Sequence, residues 1–244
     1  MKVVAIASLA LMAQEVSAHG YLAQPAAKFK SGITTSYITT IDESVDTAAF
    51  GGKKWNDNPT ANAKMFKDAF ANSKKFKTLK ALVDATVPGC GETVTDGTPV
   101  DVSGLNSMKW QNDQERKGLI DSHSGPCEGW IDNTKVFHYD DCRASFTAYP
   151  AEIPVDYSKC KGNCQFTFYW LALHEPKWQI YKQCAAIKNG SGGGGGGSST
   201  TPAATTKPTA DGEYDDEYST PAPTKKNCKA KRRALSKKLR AEEN

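Results

Sequence analysis

The chain has 244 residues, of which 39% are hydrophobic and 24% are charged, and its formal net charge at pH 7 is +4. After the first 18 residues, no segment approaches the ~20 consecutive apolar residues that a membrane helix needs. From this balance we expect a monomer that binds neither a membrane nor nucleic acid.

Residues 1 to 18 are typical of a secretory signal peptide. Lys2 is followed by the apolar stretch VVAIASLALMA, and Val16 and Ala18 lie where signal peptidase reads small residues. The apolar stretch is too short to span a membrane. We therefore predict cleavage after Ala18, which makes His19 the first residue of a secreted, extracellular protein.

The next predicted element is a helix at PTANAKMFKDAF, residues 59 to 70. After the Pro-Thr start, apolar side chains recur at helical spacing at Met65, Phe66, Ala69 and Phe70. The strand patterns come later in the chain, so this helix is predicted as a short insertion in a loop.

Short strands are predicted in the second half of the chain. In CQFTFYWLAL, residues 164 to 173, alternation with a period of two places four residues on one side: Phe166, Phe168, Trp170 and Ala172. EGWID, KVFHY and RASFTAY are further strands, with turn residues such as DNT between them. Short strands and long loops favour a mostly β fold, an antiparallel β-sandwich of immunoglobulin or fibronectin III type that disulfides staple.

The composition changes at Asn189, so we place one folded domain at residues 19 to 189. Residues 190 to 244 are rich in Gly, Ser, Thr and Pro, which predicts a disordered linker. The linker leads into a basic tail with nine Lys or Arg residues from Lys225 to Arg240. This tail is either simply solvated or adheres to an acidic polymer.

Six of the seven cysteines lie in the predicted domain, at positions 90, 127, 142, 160, 164 and 184. An even set fits three disulfides formed in an oxidising compartment, although spacing alone allows fifteen pairings. A zinc site at CKGNC, residues 160 to 164, is a competing interpretation, but no second close pair of cysteines or histidines stands nearby. Cys228 is alone in the tail.

The chain has four histidines, and His19 differs from the others because it is the predicted first residue. Its free α-amine and its ring Nδ1 can chelate one metal ion together. The pKa of an α-amine is about 8, so a metal ion can displace its proton near neutral pH. One more imidazole would complete three nitrogen ligands in a T-shape, and such a ligand set favours Cu(II).

Three stretches resemble the copper site of lytic polysaccharide monooxygenases, known as the histidine brace. AHGYLAQP is similar to the family's mature start, where the first brace histidine stands. SHSGPCEGW resembles the H-x-G-P loop that carries the second copper histidine. LALHEPKWQIYKQC resembles the closing segment, in which a histidine precedes Q-x-Y and a cysteine follows.

The resemblance implies one copper ion per domain, with His19 and His123 as ligands and Tyr181 in an axial position. It further implies that His174 and Gln179 lie beside the ligands and contact the oxidant. The implied disulfides are Cys90–Cys184, near the last strand, and then Cys127–Cys142 and Cys160–Cys164. The remaining histidine, His138 in KVFHYDD, is assigned to structure or surface.

The activity that the resemblance implies is oxidative cleavage of a polysaccharide at carbon 1 or carbon 4 beside the glycosidic bond. It uses an external electron donor with hydrogen peroxide or dioxygen, and it needs no glycosidase-type pair of carboxylates. A calcium-dependent pectate lyase is disfavoured, because the sequence has neither acidic calcium loops nor repeats. A non-catalytic copper-binding protein and a metal-free binding module remain open.

The substrate expectation rests on likeness and on charge. AHGYLAQPAAKFKSG, YITTID and the Gly/Ser/Thr tail are most similar to auxiliary activity family seventeen, secreted oomycete enzymes that cleave pectic homogalacturonan. Eight lysines and two acidic residues lie from Lys53 to Lys80, a patch that suits an anionic polysaccharide. Within it we single out Lys74, Lys75 and Lys77 as substrate-binding residues. The alternatives are a solvated helix face, and cellulose or chitin as the substrate.

Overall fold

The computed structural model describes residues 19 to 190. The predicted signal peptide, nearly all of the predicted linker and the basic tail with Cys228 lie outside the described residues. Between residues 19 and 190, no helix is long and apolar enough to cross a membrane.

Strands dominate this part of the chain, and the helices are concentrated in its first half. In chain order, the elements are β1 (Tyr21–Gln24), β2 (Lys28–Phe29), β3 (Thr39–Ile41), α1 (Thr47–Phe50), α2 (Pro59–Ala71), α3 (Leu79–Asp84), β4 (Thr93–Val94), β5 (Val100–Asp101), β6 (Ser107–Gln111), β7 (Cys127–Ile131), β8 (Thr134–Tyr139), α4 (Cys142–Ser145), β9 (Ala151–Pro154), β10 (Gly162–Ala172) and β11 (Trp178–Asn189). Short 3-10 turns cover Glu43–Asp46 and Tyr157–Lys159.

One large and one small antiparallel sheet form the body of the domain. The large sheet has the order β3-β11-β10-β7-β8, with β5 added in parallel along β11. The small sheet has the order β1-β6-β9, and β2 and β4 form a separate ribbon. In the large sheet, β10 and β11 form a long hairpin in register from Gly162–Asn189 to Ala172–Gln179. The turn at residues 173 to 177 is therefore held at one end of the sheet.

The two sheets pack face to face around an apolar core. The four β10 residues that alternation predicted for one side are buried in this core: Phe166, Phe168, Trp170 and Ala172. Leu22, Trp110 and Ile153 meet them from the small sheet. Removal of this apolar surface from water is the main force that holds the sheets together. The prediction of a mostly β, antiparallel sandwich is confirmed.

Helices cover the opposite face of the large sheet, so β10 is buried on both sides. The predicted helix at residues 59 to 70 is confirmed as α2, and the Asn58 side chain caps its first turn. Phe66 of α2 packs in one buried cluster with Leu171 and Trp178 of the central hairpin. The helical insertion is larger than predicted, because α1 and α3 belong to the same layer.

One strand prediction is wrong. RASFTAY, residues 143 to 149, contains the end of α4 and a loop instead of a strand. The Asp141 side chain accepts a hydrogen bond of 3.2 Å from the Ala144 N–H and so caps α4. A disulfide fixes the first residue of α4, Cys142, against β7. These local constraints outweigh the β propensity of the aromatic residues.

The three disulfides have the predicted pairing: Cys90–Cys184, Cys127–Cys142 and Cys160–Cys164. The zinc interpretation of CKGNC is wrong for this structure, because the two sulfurs of that motif are bonded to each other. The longest loop closed by a disulfide spans 94 residues and links β11 to the segment before β4.

Candidate metal centre

The predicted copper residues come from four separate segments. His19 lies two residues before the start of β1, and His123 lies in the loop between β6 and β7. His174 lies in the turn of the central hairpin, and Gln179 and Tyr181 follow on β11 with one residue between them. Residues two apart on a strand point to the same face, so Gln179 and Tyr181 both point toward the sandwich core.

The structure brings the predicted ligands together at one end of the sandwich. The ring centroids of His19 and His123 are 5.5 Å apart, and the rings are inclined at 72°. The Tyr181 ring lies 5.6 Å from the His19 ring and 6.4 Å from the His123 ring. Tyr181 also stacks on Trp170 at 4.6 Å, so its ring is held in place from the core side.

His174 and Gln179 form the polar edge of the same cluster. The His174 ring stacks on the His123 ring with centroids 4.2 Å apart. The Gln179 Nε2 atom is 3.4 Å from Nε2 of His174, and the Gln179 Oε1 atom accepts a hydrogen bond of 2.7 Å from the Tyr181 hydroxyl. All five residues that the sequence predicted at or beside the copper ion therefore belong to one site.

Burial keeps the imidazoles of this site neutral. His123 is 5% exposed, and burial with the nearby His174 and His19 lowers its pKa to about 3. Burial also lowers the pKa of His19 and of His174. A neutral imidazole has a free lone pair, which is the form that binds a metal ion. Burial raises the pKa of Tyr181, so its hydroxyl stays protonated at neutral pH.

The second ring nitrogen of His123 is unsatisfied. Its Nδ1 atom lies 2.8 Å from the Ser122 hydroxyl, whereas Nε2 is buried and has no hydrogen-bond partner among residues 19 to 190. Buried polar atoms without partners are rare in folded proteins. In the tautomer in which Nδ1 carries the proton, Nδ1 donates a hydrogen bond to the Ser122 hydroxyl and the Nε2 lone pair is available for a metal ion. The donor set thus fits a nitrogen-ligated copper ion.

Two residues that the sequence did not single out position His19. The Asn112 side-chain amide donates a hydrogen bond of 2.7 Å to the His19 carbonyl oxygen. Gly20 lies so close to the Trp110 indole that a Cβ atom at this position would overlap its Nε1 atom. Asn112 is 93 residues from His19 in the chain, so no local motif could have revealed this contact.

Side chains alone do not complete a metal site in the described part of the chain. Between residues 19 and 190, no group of three or more His, Cys, Asp or Glu side chains is arranged to hold a metal ion. The predicted centre has two imidazoles and takes its third nitrogen from the α-amine of His19. His138 lies elsewhere, between Glu128 and Asp140, at 3.2 and 3.1 Å.

The three predicted substrate lysines are not part of the metal centre. Lys74, Lys75 and Lys77 are exposed residues that follow the C-terminal end of α2. The Nζ atom of Lys75 donates to the Val45 carbonyl oxygen and that of Lys77 to the Ser73 carbonyl oxygen, each at 2.7 Å. These two lysines therefore also hold the loops of their own domain.

Comparison with protein-family models and with curated proteins gave no match.

Proposed function

We propose that this protein is a secreted, copper-dependent lytic polysaccharide monooxygenase whose substrate is pectin, in the form of homogalacturonan. The observation that carries the proposal is the meeting of His19 and His123 at 5.5 Å, next to a buried His123 Nε2 atom with no partner among the described residues. The supporting chemistry is the preference of Cu(II) for nitrogen ligands.

In this proposal, the α-amine and Nδ1 of His19 and the Nε2 atom of His123 would hold copper, and the Tyr181 ring would lie next to these ligands. Bound copper would supply one-electron redox chemistry, with an external electron donor and hydrogen peroxide or dioxygen, for oxidation of a sugar carbon beside the glycosidic bond. Tyr181 is 1% exposed, and its hydroxyl donates a hydrogen bond to the Gln179 Oε1 atom. It therefore closes the core side of the site to water.

The neighbouring polar groups orient small molecules at the open side. The Gln179 amide uses its oxygen to accept from Tyr181, which leaves the amide N–H groups pointing toward His174. This pair can donate hydrogen bonds to an oxidant and hold it next to the ligands. The Trp170 ring stacks on the core side of the Tyr181 ring, where it restricts movement of Tyr181 and excludes water.

The first experiment is calorimetric titration of copper into protein whose N-terminus has been verified as His19. A matched protein that retains one residue before His19 should lose most of the copper affinity, because the α-amine becomes an amide and the chelate is broken. Equal affinity in the two proteins would rule out the brace. Tight binding by the verified protein without peroxide-driven release of oxidised oligosaccharides would instead identify a non-catalytic copper-binding protein.

A second pair of proteins tests the choice of histidine. His123→Ala should abolish oxidative activity and leave the fold intact. His138→Ala is the matched control, since that ring is bonded to Glu128 and Asp140 and not to the site. Equal loss of activity in both well-folded variants would contradict the ligand assignment. Activity on cellulose or chitin, with none on polygalacturonate, would retain the enzyme class and remove the pectin assignment.

A further inference from the structure

A cavity adjoins the hairpin turn that carries His174. It has a volume of about 520 Å³, and its lining includes Lys53, Lys54 and Asn56 on one side and Pro176 and Lys177 on the other. The last two residues follow His174 in the same turn. The cavity therefore borders the turn that carries His174, and neither His174 nor Gln179 lines it.

A buried asparagine fixes both sides of this cavity to each other. The Asn62 side-chain amide donates hydrogen bonds to the carbonyl oxygens of Trp55, Asp57 and Leu173, at 3.2, 3.1 and 2.8 Å. The Trp55 ring also contacts the Trp178 ring, with centroids 4.7 Å apart. The segment with Lys53 and Lys54 is therefore anchored beside the turn, and its position relative to His174 is defined.

The cavity lining has three lysines and two carboxylates, Asp42 and Glu43, and so carries one net positive charge. Lys177 pairs with Asp42 at 2.6 Å. The other lining carboxylate, Glu43, accepts a hydrogen bond from the Trp55 indole. Lys53 donates to a backbone carbonyl oxygen, and Lys54 has no hydrogen-bond or ionic partner among residues 19 to 190. Two ammonium groups without an ion pair therefore line the cavity.

The position of these lysines differs from that of the three predicted substrate lysines. Lys53 and Lys54 precede α2, whose N-terminal end is tied to Leu173 by Asn62. Lys74 and Lys75 follow the other end of this 13-residue helix. At 1.5 Å per residue, the ends of α2 are about 20 Å apart. The lysines near the metal centre are thus those before α2.

We propose that Lys54, together with Lys53 and Lys177, forms a subsite that binds a carboxylate of a polyuronate chain lying across the metal centre. This inference rests on the proposed function for the position of the cleaved bond. A polyuronate is a suitable occupant because it repeats a carboxylate along the chain, and an ammonium group binds a carboxylate through charge-assisted hydrogen bonds. Lys54 is the main contact because no residue of the described domain competes for it.

The test compares Lys53→Gln/Lys54→Gln with the matched control Lys159→Gln/Lys161→Gln, two exposed lysines next to the start of β10, the end of that strand remote from His174. Both variants use the full secreted chain from His19, so the basic tail is common to both, and each is loaded with copper. Binding of short polygalacturonate chains is measured by calorimetry at low ionic strength. The first variant should bind about fivefold more weakly than the unchanged protein, and the control should change by less than about twofold, as expected for exposed charge pairs.

Two further measurements separate a charge effect from damage to the site. Copper affinity should be the same in all three proteins, and the difference between the two variants should vanish with fully methyl-esterified polygalacturonate or at about 1 M salt, where the Debye length is about 3 Å. Equal weakening in both variants, or no binding by the unchanged protein, overturns the subsite. Binding that follows this pattern without oxidised product overturns the proposed function and leaves the subsite in place.

Discussion

The two faces of the central β10–β11 hairpin have different chemistry, although their residues alternate along the same strands. On the sandwich face, Trp170 and Tyr181 stack at 4.6 Å and form the support of the candidate metal centre. On the helical face, Lys182 is 3% exposed and pairs with Asp84 of α3 at 2.7 Å. Tyr181 and Lys182 are neighbours in sequence, but they serve different parts of the molecule.

The buried charges of the described domain all belong to the helical side. Asp46, Glu128 and Lys182 are each less than a tenth exposed. Glu128 accepts hydrogen bonds from the Lys80 N–H at 3.0 Å and from the Trp130 indole at 2.9 Å. Buried charges need such partners because an unpaired one is costly. On the helical side, these polar contacts add to the apolar packing that attaches the helices, whereas the support of the candidate metal centre is aromatic.

This contrast predicts that changes on the helical face alter stability and leave copper affinity unchanged. The largest effect is expected for Cys90→Ala/Cys184→Ala, which opens a loop of 94 residues. Chain-entropy estimates for a loop of about 100 residues give about 4.7 kcal/mol of unfolding free energy. The measurement is urea unfolding, followed by copper titration of the fraction that remains folded. Cys160→Ala/Cys164→Ala is the matched control and should cost only about 2 kcal/mol.

The next effect concerns the carboxylate that links β7 to α3. Glu128→Leu should lower the unfolding free energy by about 3 kcal/mol, because it leaves the Trp130 indole and the Lys80 N–H without their acceptor. Copper affinity at 25 °C should be unchanged if the folded fraction is high. A large loss of copper affinity in folded Glu128→Leu would show that the two faces are not independent.

A smaller effect on the same face depends on pH. The hydrogen bond to Glu128 raises the pKa of His138, with burial opposing it and Asp140 adding to it. Burial alone would raise the pKa of Glu128, but the hydrogen bonds from His138, the Lys80 N–H and Trp130 outweigh it and lower this pKa to about 2. Both groups are therefore charged together in the folded protein at about pH 6.

The sign of the pH effect follows from these shifts. A raised folded pKa means that protonated His138 stabilises the fold below its unfolded pKa of about 6.5, and that this contribution disappears as the pH rises through the folded value. The Glu128 contribution instead disappears as the pH falls toward about 2. The difference in unfolding free energy between the copper-free protein and His138→Ala should thus be about 1 kcal/mol at pH 6 and shrink by pH 9. A difference that grows with pH would contradict the ion pair.

The sequence predicted what depends on local pattern. Alternation identified the buried side of β10, and helical spacing identified α2 with a start at the observed residue, Pro59. The strand prediction failed at residues 143 to 149, where a capping aspartate and a disulfide impose a helical turn on a stretch with β propensity. Asp141 lies directly before this stretch, but its capping role depends on the helical turn, and Cys127 is 15 residues away from Cys142 in sequence.

In the candidate site too, some residues were predicted from sequence and others are identified only by the fold. The resemblance of three stretches identified His19, His123 and Tyr181, which the fold brings together. The residues that hold the site in position are far from it in sequence. The Asn112 amide donates a hydrogen bond to the His19 carbonyl oxygen, and the Asn62 amide donates one to the Leu173 carbonyl oxygen, 111 residues away. Ordinary asparagines of this kind have no motif, and only tertiary structure shows that their amides satisfy backbone carbonyl groups.

An effect on stability as small as that of His138→Ala, and the sharpest test of the sandwich face, is expected for Tyr181→Phe. The variant keeps the ring that stacks on Trp170 at 4.6 Å, but it loses the 2.7 Å hydrogen bond to Gln179. One neutral hydrogen bond contributes about 1 kcal/mol, so the unfolding free energy should fall by about that amount.

The site should nevertheless change in Tyr181→Phe, because the phenol oxygen is lost and the Gln179 amide is free to rotate. We expect a different Cu(II) electron paramagnetic resonance spectrum and lower oxidative turnover, whereas Glu128→Leu should give the unchanged spectrum at a larger loss of stability. Identical spectra for Tyr181→Phe and the unchanged protein would show that the Tyr181 hydroxyl does not face the metal.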